Sequence, residues 1–352
     1  MKDIQATTDK IGFAIIGCGL VSAFHANAIR AIPSAKLIGF MDIRKDRAQQ
    51  RAEQFDSTAF TNLRAILDHK EIQVINVCTP NGLHEPIVLE AAQAGKHVLV
   101  EKPPEITLER MDKMITACQK AGVEMVPVLQ TRFRPAVAEL RRAVKHGRLG
   151  RLFIGDVYMK WYRSGAYYQR DKWRGTRDIE GGIMMQLAFH YIDLLRWLLG
   201  PVKQVFARTA RLRHHNIETE DSAFVIIEFI NGAIGVLEAS TAVIPGIDVR
   251  LEIHGDRGSI RLKGECIQQW YIDGQEDETL KKNLSHKGKT AAGGEADFDW
   301  QDHKALIMDF IDALRNGRPP AVTAIDGRNA LEIVLAIYRS AKIGKPVALP
   351  IT

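Results

Sequence analysis

Ile11-Gly-Phe-Ala-Ile-Ile-Gly-Cys-Gly-Leu-Val-Ser22, followed by a lone acid at Asp42, decides the fold of this 352-residue chain. Phe13 to Ile16 is an apolar run of the length one buried strand needs, and Gly17 and Gly19 allow a tight turn with no Cβ in the way. From Leu20 to Ala31 the chain reads as a helix, and its first N–H groups, which lack partners within the helix, would face a pyrophosphate. A second apolar run, Leu37 to Met41, predicts a strand with Asp42 at its tip. A carboxylate there accepts hydrogen bonds from both ribose hydroxyls and repels a 2′-phosphate. Ser22 stands where the usual fingerprint has its third glycine, and it is small enough for close helix–strand contact. On this reading Gly17, Gly19, Leu20, Val21, Asp42, Ile43 and Arg44 bind the dinucleotide, with NAD favoured over NADP. Arg44 is the residue that would suit a phosphate instead.

Outward from this motif, strands are predicted at 11–16, 36–41, 73–78, 97–100 and 124–129. Helices are predicted at 20–31, 44–55, 61–68, 82–94 and 107–120. Such alternation means a parallel sheet with helices on both faces. After about residue 131 the pattern changes to long strand candidates at 151–163, 202–213, 221–230, 233–243, 247–254 and 258–263. Turns such as Asn231-Gly232 and Gly255-Asp-Arg-Gly258 join them, which describes a mostly antiparallel, open sheet. One apolar helix, about 181–199, interrupts the strands, and helices at about 301–316 and 326–342 close the chain. Residues 274–297 are polar and rich in Gly and Lys, and read as a mobile surface loop.

Composition sets bounds on this picture. With 46% hydrophobic residues, a chain of this length buries two cores. Lys and Arg total 48 against 42 Asp and Glu, a mild excess of +6. Apart from Arg141-Arg142 with Lys145 and a patch at 281–289 it is scattered, which argues against nucleic acid as a partner. Cys18, Cys78, Cys118 and Cys266 show no CxxC spacing, as expected in a reducing cytosol, and no metal site is expected. No apolar leader and no run of 18 apolar residues is present, so a cytoplasmic protein without membrane insertion is expected.

Several residues suit chemistry. Val98-Leu-Val-Glu-Lys-Pro-Pro104 sets Glu101 and Lys102 at the carboxyl end of a parallel strand, where ligands of doubly wound sheets bind. An ordinary surface lysine is the plain alternative. Val77-Cys-Thr-Pro-Asn-Gly-Leu-His84 follows another strand, and Thr79, Pro80, Asn81 and His84 there are either cofactor contacts or a bland turn. Along the apolar helix, Gln186, His190, Asp193 and Trp197 are spaced i, i+4, i+7, i+11, within about 60° of arc on a continuous helix. A polar stripe on a buried helix must meet polar partners or a wet cavity. Just before it lie Trp161, Arg163, Tyr167, Tyr168, Trp173 and Arg174, aromatic faces and guanidinium forks that suit a ligand with C–H faces and many hydroxyls.

Together these segments resemble the Gfo/Idh/MocA oxidoreductases, the family of glucose–fructose oxidoreductase and inositol dehydrogenase. The likeness runs from the GxGxxS turn through Thr79-Pro80-Asn81, Glu101-Lys102-Pro103 and Gly181-Gly182 to His190-Tyr-Ile-Asp193. It implies an α/β Rossmann domain over 1–130 and an α+β domain over 131–352, whose large open sheet supplies a homodimer or homotetramer interface. The last helices are expected to pack back on the first domain. The resemblance also implies NAD-dependent oxidation of a secondary hydroxyl on a sugar, glycoside, nucleotide-sugar or cyclitol. Lys102 would contact the reacting hydroxyl, His190 would accept its proton and Asp193 would orient His190. Many members carry Asp where this chain has Gln186, a departure that points away from free inositol and toward nucleotide-linked sugars or other glycosides. Two other readings share the fold: glycoside cleavage through a transient 3-keto sugar, and a non-catalytic dinucleotide sensor.

Overall fold

The structure, a computed structural model, describes residues 10–264, 266–284 and 299–351. Two compact units divide the chain. One runs to Gln130 and takes in Trp300–Arg328; the other comprises Thr131–Asp299 and the chain from Asn329 on.

The first unit is built on β1 (Ile11–Ile16), β2 (Ala35–Met41), β3 (Thr58–Phe60), β4 (Val74–Val77), β5 (His97–Val100) and β6 (Met125–Pro127). They pair in the order β3-β2-β1-β4-β5-β6, every pair parallel. β1 and β4 are buried along their whole length, as central parallel strands covered on both faces must be. The helices are α1 (Leu20–Arg30), α2 (Lys45–Gln54), α3 (Leu63–Leu67), α4 (His84–Gln93) and α5 (Leu108–Ala121). Thr107 caps α5 by accepting the Arg110 N–H, and Gly122 ends it with φ 66°, a conformation side chains resist. The order reverses between β1 and β4, and that is the place where doubly wound sheets bind ligands.

The second unit holds α6 (Pro135–Lys145), β7 (Leu152–Tyr162), α7 (Gly165–Gln169), α8 (Ile183–Gln186), α9 (Phe189–Leu199), β8 (Val202–Ala210), β9 (Ser222–Phe229), β10 (Ile234–Ser240), β11 (Ala242–Gly255), β12 (Gly258–Lys263), β13 (Cys266–Ile272), β14 (Gln275–Glu276), α10 (Glu278–Asn283) and β15 (Val347–Ala348). Its nine strands run β14-β13-β12-β11-β7-β10-β9-β8-β15, antiparallel except for β10 beside β7. Alternate residues are buried: Val157, Met159 and Trp161 on β7, Val225 and Ile227 on β9, Leu251 and Ile253 on β11. Two further helices are α11 (Gln301–Asn316) in the first unit and α12 (Ala324–Ile343).

Two expectations need correction. The helix expected over 181–199 is two helices. Gly181 and Gly182 precede it with φ of 91° and 89°, and it breaks at Leu187–Ala188, where the Ala188 N–H reaches back five residues to Ile183 O. Gln186 and His190 therefore do not share one continuous helical face. The loop expected over 274–297 begins instead with β14 and with α10, which Asp277 caps at 2.8 Å from the Leu280 N–H; residues 285–298 lie outside the described residues. Among the described residues no helix is long and apolar enough to cross a membrane.

Candidate active site

At the end of β1, Gly17 has φ 95°, and a Cβ there would fall 2.6 Å from the Cys78 carbonyl oxygen. Only glycine passes this close to β4. A Cβ on Gly19 would meet nothing within 4 Å, so the turn is open on that side. The Ser22 hydroxyl, fully buried, donates to Gly19 O at 2.6 Å and so holds the start of α1. Asp42 clasps the same turn: one carboxylate oxygen accepts the Cys18 N–H at 2.8 Å, the other the Arg44 N–H at 2.8 Å. Ile43 stands 92% exposed beside it, and Leu20 is exposed as well, two apolar surfaces next to the acid. The Arg44 guanidinium pairs with Asp46 at 2.8 Å. Thr79 Oγ1 is buried with no hydrogen-bond partner among the described residues. The open turn, the helix N-terminus, the acid and this hydroxyl fit a dinucleotide.

Two expected cofactor contacts are turned inward. His84 is fully buried at the start of α4, its ring nitrogens 3.0 Å from Pro104 O and 2.9 Å from Thr79 O. Burial pulls its pKa below the ordinary histidine value, so the neutral ring has one N–H for these two carbonyls and packs between the Thr79-Pro80-Asn81 turn and the chain after Lys102. The Glu101 side chain is likewise buried, against His25 and His303. Both reach the site only through the backbone they fix. Lys102 is partly exposed, and Asn81 is buried in a short turn.

In the second unit His190 lies on α9 and is 8% exposed. Asp193, 1% exposed, is held by Arg132, whose Nε and Nη2 donate to its two oxygens at 2.8 and 2.5 Å. A bidentate buried pair of this kind fixes α9 firmly, since removing one partner costs about 3–5 kcal/mol. The Trp197 ring has the Arg132 guanidinium 5.0 Å and the Arg141 guanidinium 4.8 Å from its centre. Sequence reading missed Arg132, whose partner is remote in the chain.

The chain between β7 and α8 holds most of the residues expected to bind substrate. Tyr167, Tyr168 and Gln186 line one cleft with Gly182, Thr219 and Glu220. The Tyr167 ring has Arg174 4.1 Å, Arg163 5.7 Å and Arg170 5.9 Å from its centre. Contrary to expectation Arg163 is turned inward, 3% exposed and donating to Tyr162 O at 2.8 Å. Arg174 also covers Trp173 at 4.7 Å, and the Tyr168 hydroxyl shares a 2.9 Å hydrogen bond with Thr241. Trp161 is corrected to a core residue. Strand alternation turns it inward, 7% exposed, edge-on to Tyr191.

Glu220 was missed too. Its Oε1 accepts the Met184 N–H at 3.1 Å and lies 2.9 Å from the Tyr338 hydroxyl, which also faces Gly181 O. Tyr338 has one proton for two acceptors, and a protonated Glu220 supplies the second. Burial pushes the Glu220 pKa from 4.5 up to about 7, against its hydrogen bonds from the backbone and Tyr338.

The fold and the turn define an NAD-binding oxidoreductase. Residues 11–128 match the family model described as oxidoreductase family, NAD-binding Rossmann fold, and residues 137–261 match the GFO/IDH/MocA C-terminal domain. The chain belongs to the Gfo/Idh/MocA family, whose members here are NAD-dependent sugar and cyclitol dehydrogenases. It is 29% identical to scyllo-inositol 2-dehydrogenase (NAD(+)) of Bacillus subtilis, over 96% of each chain. It is 27% identical to myo-inositol 2-dehydrogenase of Thermotoga maritima, over 95% of this chain and 97% of that one. The WlbA dehydrogenase of Bordetella pertussis, solved with NADH and UDP-GlcNAcA, superposes with a TM-score of 0.85 at 31% identity, over 97% of this chain and all of that one. NAD is the cofactor.

Two outcomes follow from this geometry. Asp42→Ser removes the charge but keeps one acceptor for the clasped N–H groups. In fluorescence titrations the NADH-to-NADPH affinity ratio should fall roughly tenfold or more; an unchanged ratio contradicts the role of Asp42. Glu220→Gln imitates the protonated carboxyl. In the folded chain the wild-type group ionises only near pH 7, against 4.5 for the ordinary carboxyl, so its burial penalty grows between those values and persists above them. The substitution should therefore raise Tm by a few degrees at pH 8 and change it little at pH 5.

Proposed function

We propose that this protein oxidises a secondary hydroxyl of a nucleotide-linked sugar or related glycoside. The observation that carries the reading is the cleft lined by Tyr167, Tyr168 and Gln186, with the exposed Arg170 beside the Tyr167 ring. Aromatic faces meet the C–H faces of a pyranose, and guanidinium groups suit a phosphate or carboxylate on the same ligand. UDP-GlcNAcA, bound by the WlbA relative, combines both features. Gln186 offers a neutral donor and acceptor to a ligand in that cleft.

When bound, NAD would supply the hydride acceptor for the carbinol carbon. His190, as neutral imidazole, takes the hydroxyl proton, so the alcohol leaves as a ketone with every proton accounted for. Lys102 in its cationic form stabilises the negative charge that develops on the oxygen. Asp193 acts as a positioning residue, since its pair with Arg132 holds the helix that carries His190.

The outer face of the second sheet supports a homo-oligomer. Phe206, Ile226 and Val236 are exposed and stand in one register row across β8, β9 and β10, with Phe224 and Ile234 adjoining. An apolar row of this kind on a sheet is what a second copy of the chain would cover. Cys18, Cys78 and Cys118 are free thiols, which suits a reducing compartment such as the cytoplasm.

Comparing kcat/KM for UDP-GlcNAcA, levoglucosan and myo-inositol tests the substrate class: the nucleotide-linked sugar should lead, and a clear preference for inositol would overturn the assignment. Lys102→Ala and His190→Ala should each lower kcat roughly 10²–10⁴-fold, with NADH affinity nearly unchanged in His190→Ala. Ile226→Glu should lower the mass measured by analytical ultracentrifugation to that of one chain.

A further inference from the structure

We propose that Glu101 is the positioning residue for Lys102, anchoring it through a buried chain of hydrogen bonds to helix α1. The inference rests on the catalytic reading of Lys102 above. Glu101 follows β5 and is 8% exposed, and its two oxygens serve different partners. Oε2 accepts the backbone N–H of Lys102 at 3.1 Å, while Oε1 lies 2.9 Å from His25 Nε2. His25 is fully buried on α1, and its other nitrogen, Nδ1, receives the Asn76 amide from β4 at 2.7 Å. Its single ring proton therefore sits on Nε2 and points at Glu101. His303, at the start of α11, brings its Nε2 within 3.6 Å of the same oxygen, its ring 5.1 Å from that of His25.

A carboxylate with this burial would ordinarily hold its proton. Burial does push Glu101 up, but the hydrogen bond from His25 and the nearby His303 ring more than offset it, and the group stays ionised well below the usual carboxylate range. Burial likewise keeps His25 neutral, so the pair carries one negative charge. The three side chains also come close enough to share a metal ion, with their ligand atoms within 4.8 Å of one another. The 2.9 Å separation is that of a charge-assisted hydrogen bond, shorter than the roughly 3.3 Å between two ligands of a tetrahedral zinc.

The arrangement does more than fill the core, because both groups that Glu101 holds belong to the site. One is the backbone of Lys102. The other is α1, whose N-terminus opens at the Gly17–Gly19 turn. An isosteric glutamine exposes the requirement. Its amide nitrogen must face either the Lys102 N–H or the His25 Nε2–H, a donor against a donor, so one anchor is lost with the volume unchanged.

Glu101→Gln, His25→Gln, His25→Ala and Lys102→Met are compared with wild type by thermal melting, NADH titration, turnover of UDP-GlcNAcA and hydrogen exchange at the Lys102 amide. Glu101→Gln should lower kcat roughly 10–100-fold, with KM for NAD within about threefold and faster exchange at the Lys102 amide. His25→Gln, which retains an N–H donor, should recover most of what His25→Ala loses. Near-wild-type kcat in Glu101→Gln beside a collapse in Lys102→Met overturns the inference. Full turnover in Lys102→Met instead overturns the catalytic reading of that lysine, and unchanged exchange in Glu101→Gln then overturns the anchoring as well. Should Glu101→Gln fail to fold, equal losses in the two His25 variants overturn it.

Discussion

The dinucleotide unit depends on one close approach. At Gly17 the backbone passes the Cys78 carbonyl so nearly that no Cβ fits, and this lets β1 turn at once into α1. Asp42 then takes up the Cys18 N–H that the turn leaves without a strand partner, while a second oxygen fixes Arg44. Sterics and hydrogen bonding thus place the open helix end and the acid on the same turn. A pyrophosphate and a ribose require that pair.

The second unit reaches comparable rigidity by charge. The two-point pair of Arg132 with Asp193 of α9 is buried, and Arg132 and Arg141 both lie against the Trp197 ring. Such a pair adds little stability over an apolar substitute, but it is costly to break and specifies one orientation of the helix. That orientation matters because the helix carries His190. At the preceding helix, α8, Glu220 and Tyr338 give a softer constraint, where the protonation of a buried carboxyl decides whether all their acceptors are met.

Much of this was legible in the sequence because its signals are local. The glycine turn, the strand before it, the helix after it and the acid at the next strand tip are read within a few dozen residues. The antiparallel hairpins were legible for the same reason, from Asn231-Gly232 and Gly255–Gly258. What escaped depends on partners far away in the chain. His84 opens α4 after the turn that follows β4, and Glu101 follows β5, but the Pro104 carbonyl and His25 draw their side chains into the core. The break at Leu187–Ala188 contains neither glycine nor proline, so nothing local announces it. β3, β14 and β15, of two or three residues each, are too short for an alternation to show. Within the site, the aromatic and basic cluster was found from its composition, yet alternation along β7 turned Trp161 inward and left Tyr167 with the arginines.

The most direct measurement of the central claim follows the hydrogen itself. Wild-type protein is incubated with NAD and UDP-GlcNAcA carrying deuterium at every ring carbon, and the dinucleotide is analysed by mass spectrometry. The account predicts reduced dinucleotide carrying one deuterium on its nicotinamide ring, accumulating together with the keto sugar. Tight binding of dinucleotide with no label transferred would mark a sensor. Sugar cleavage with no net reduction would mark a transient redox cycle. Either result contradicts a net dehydrogenase.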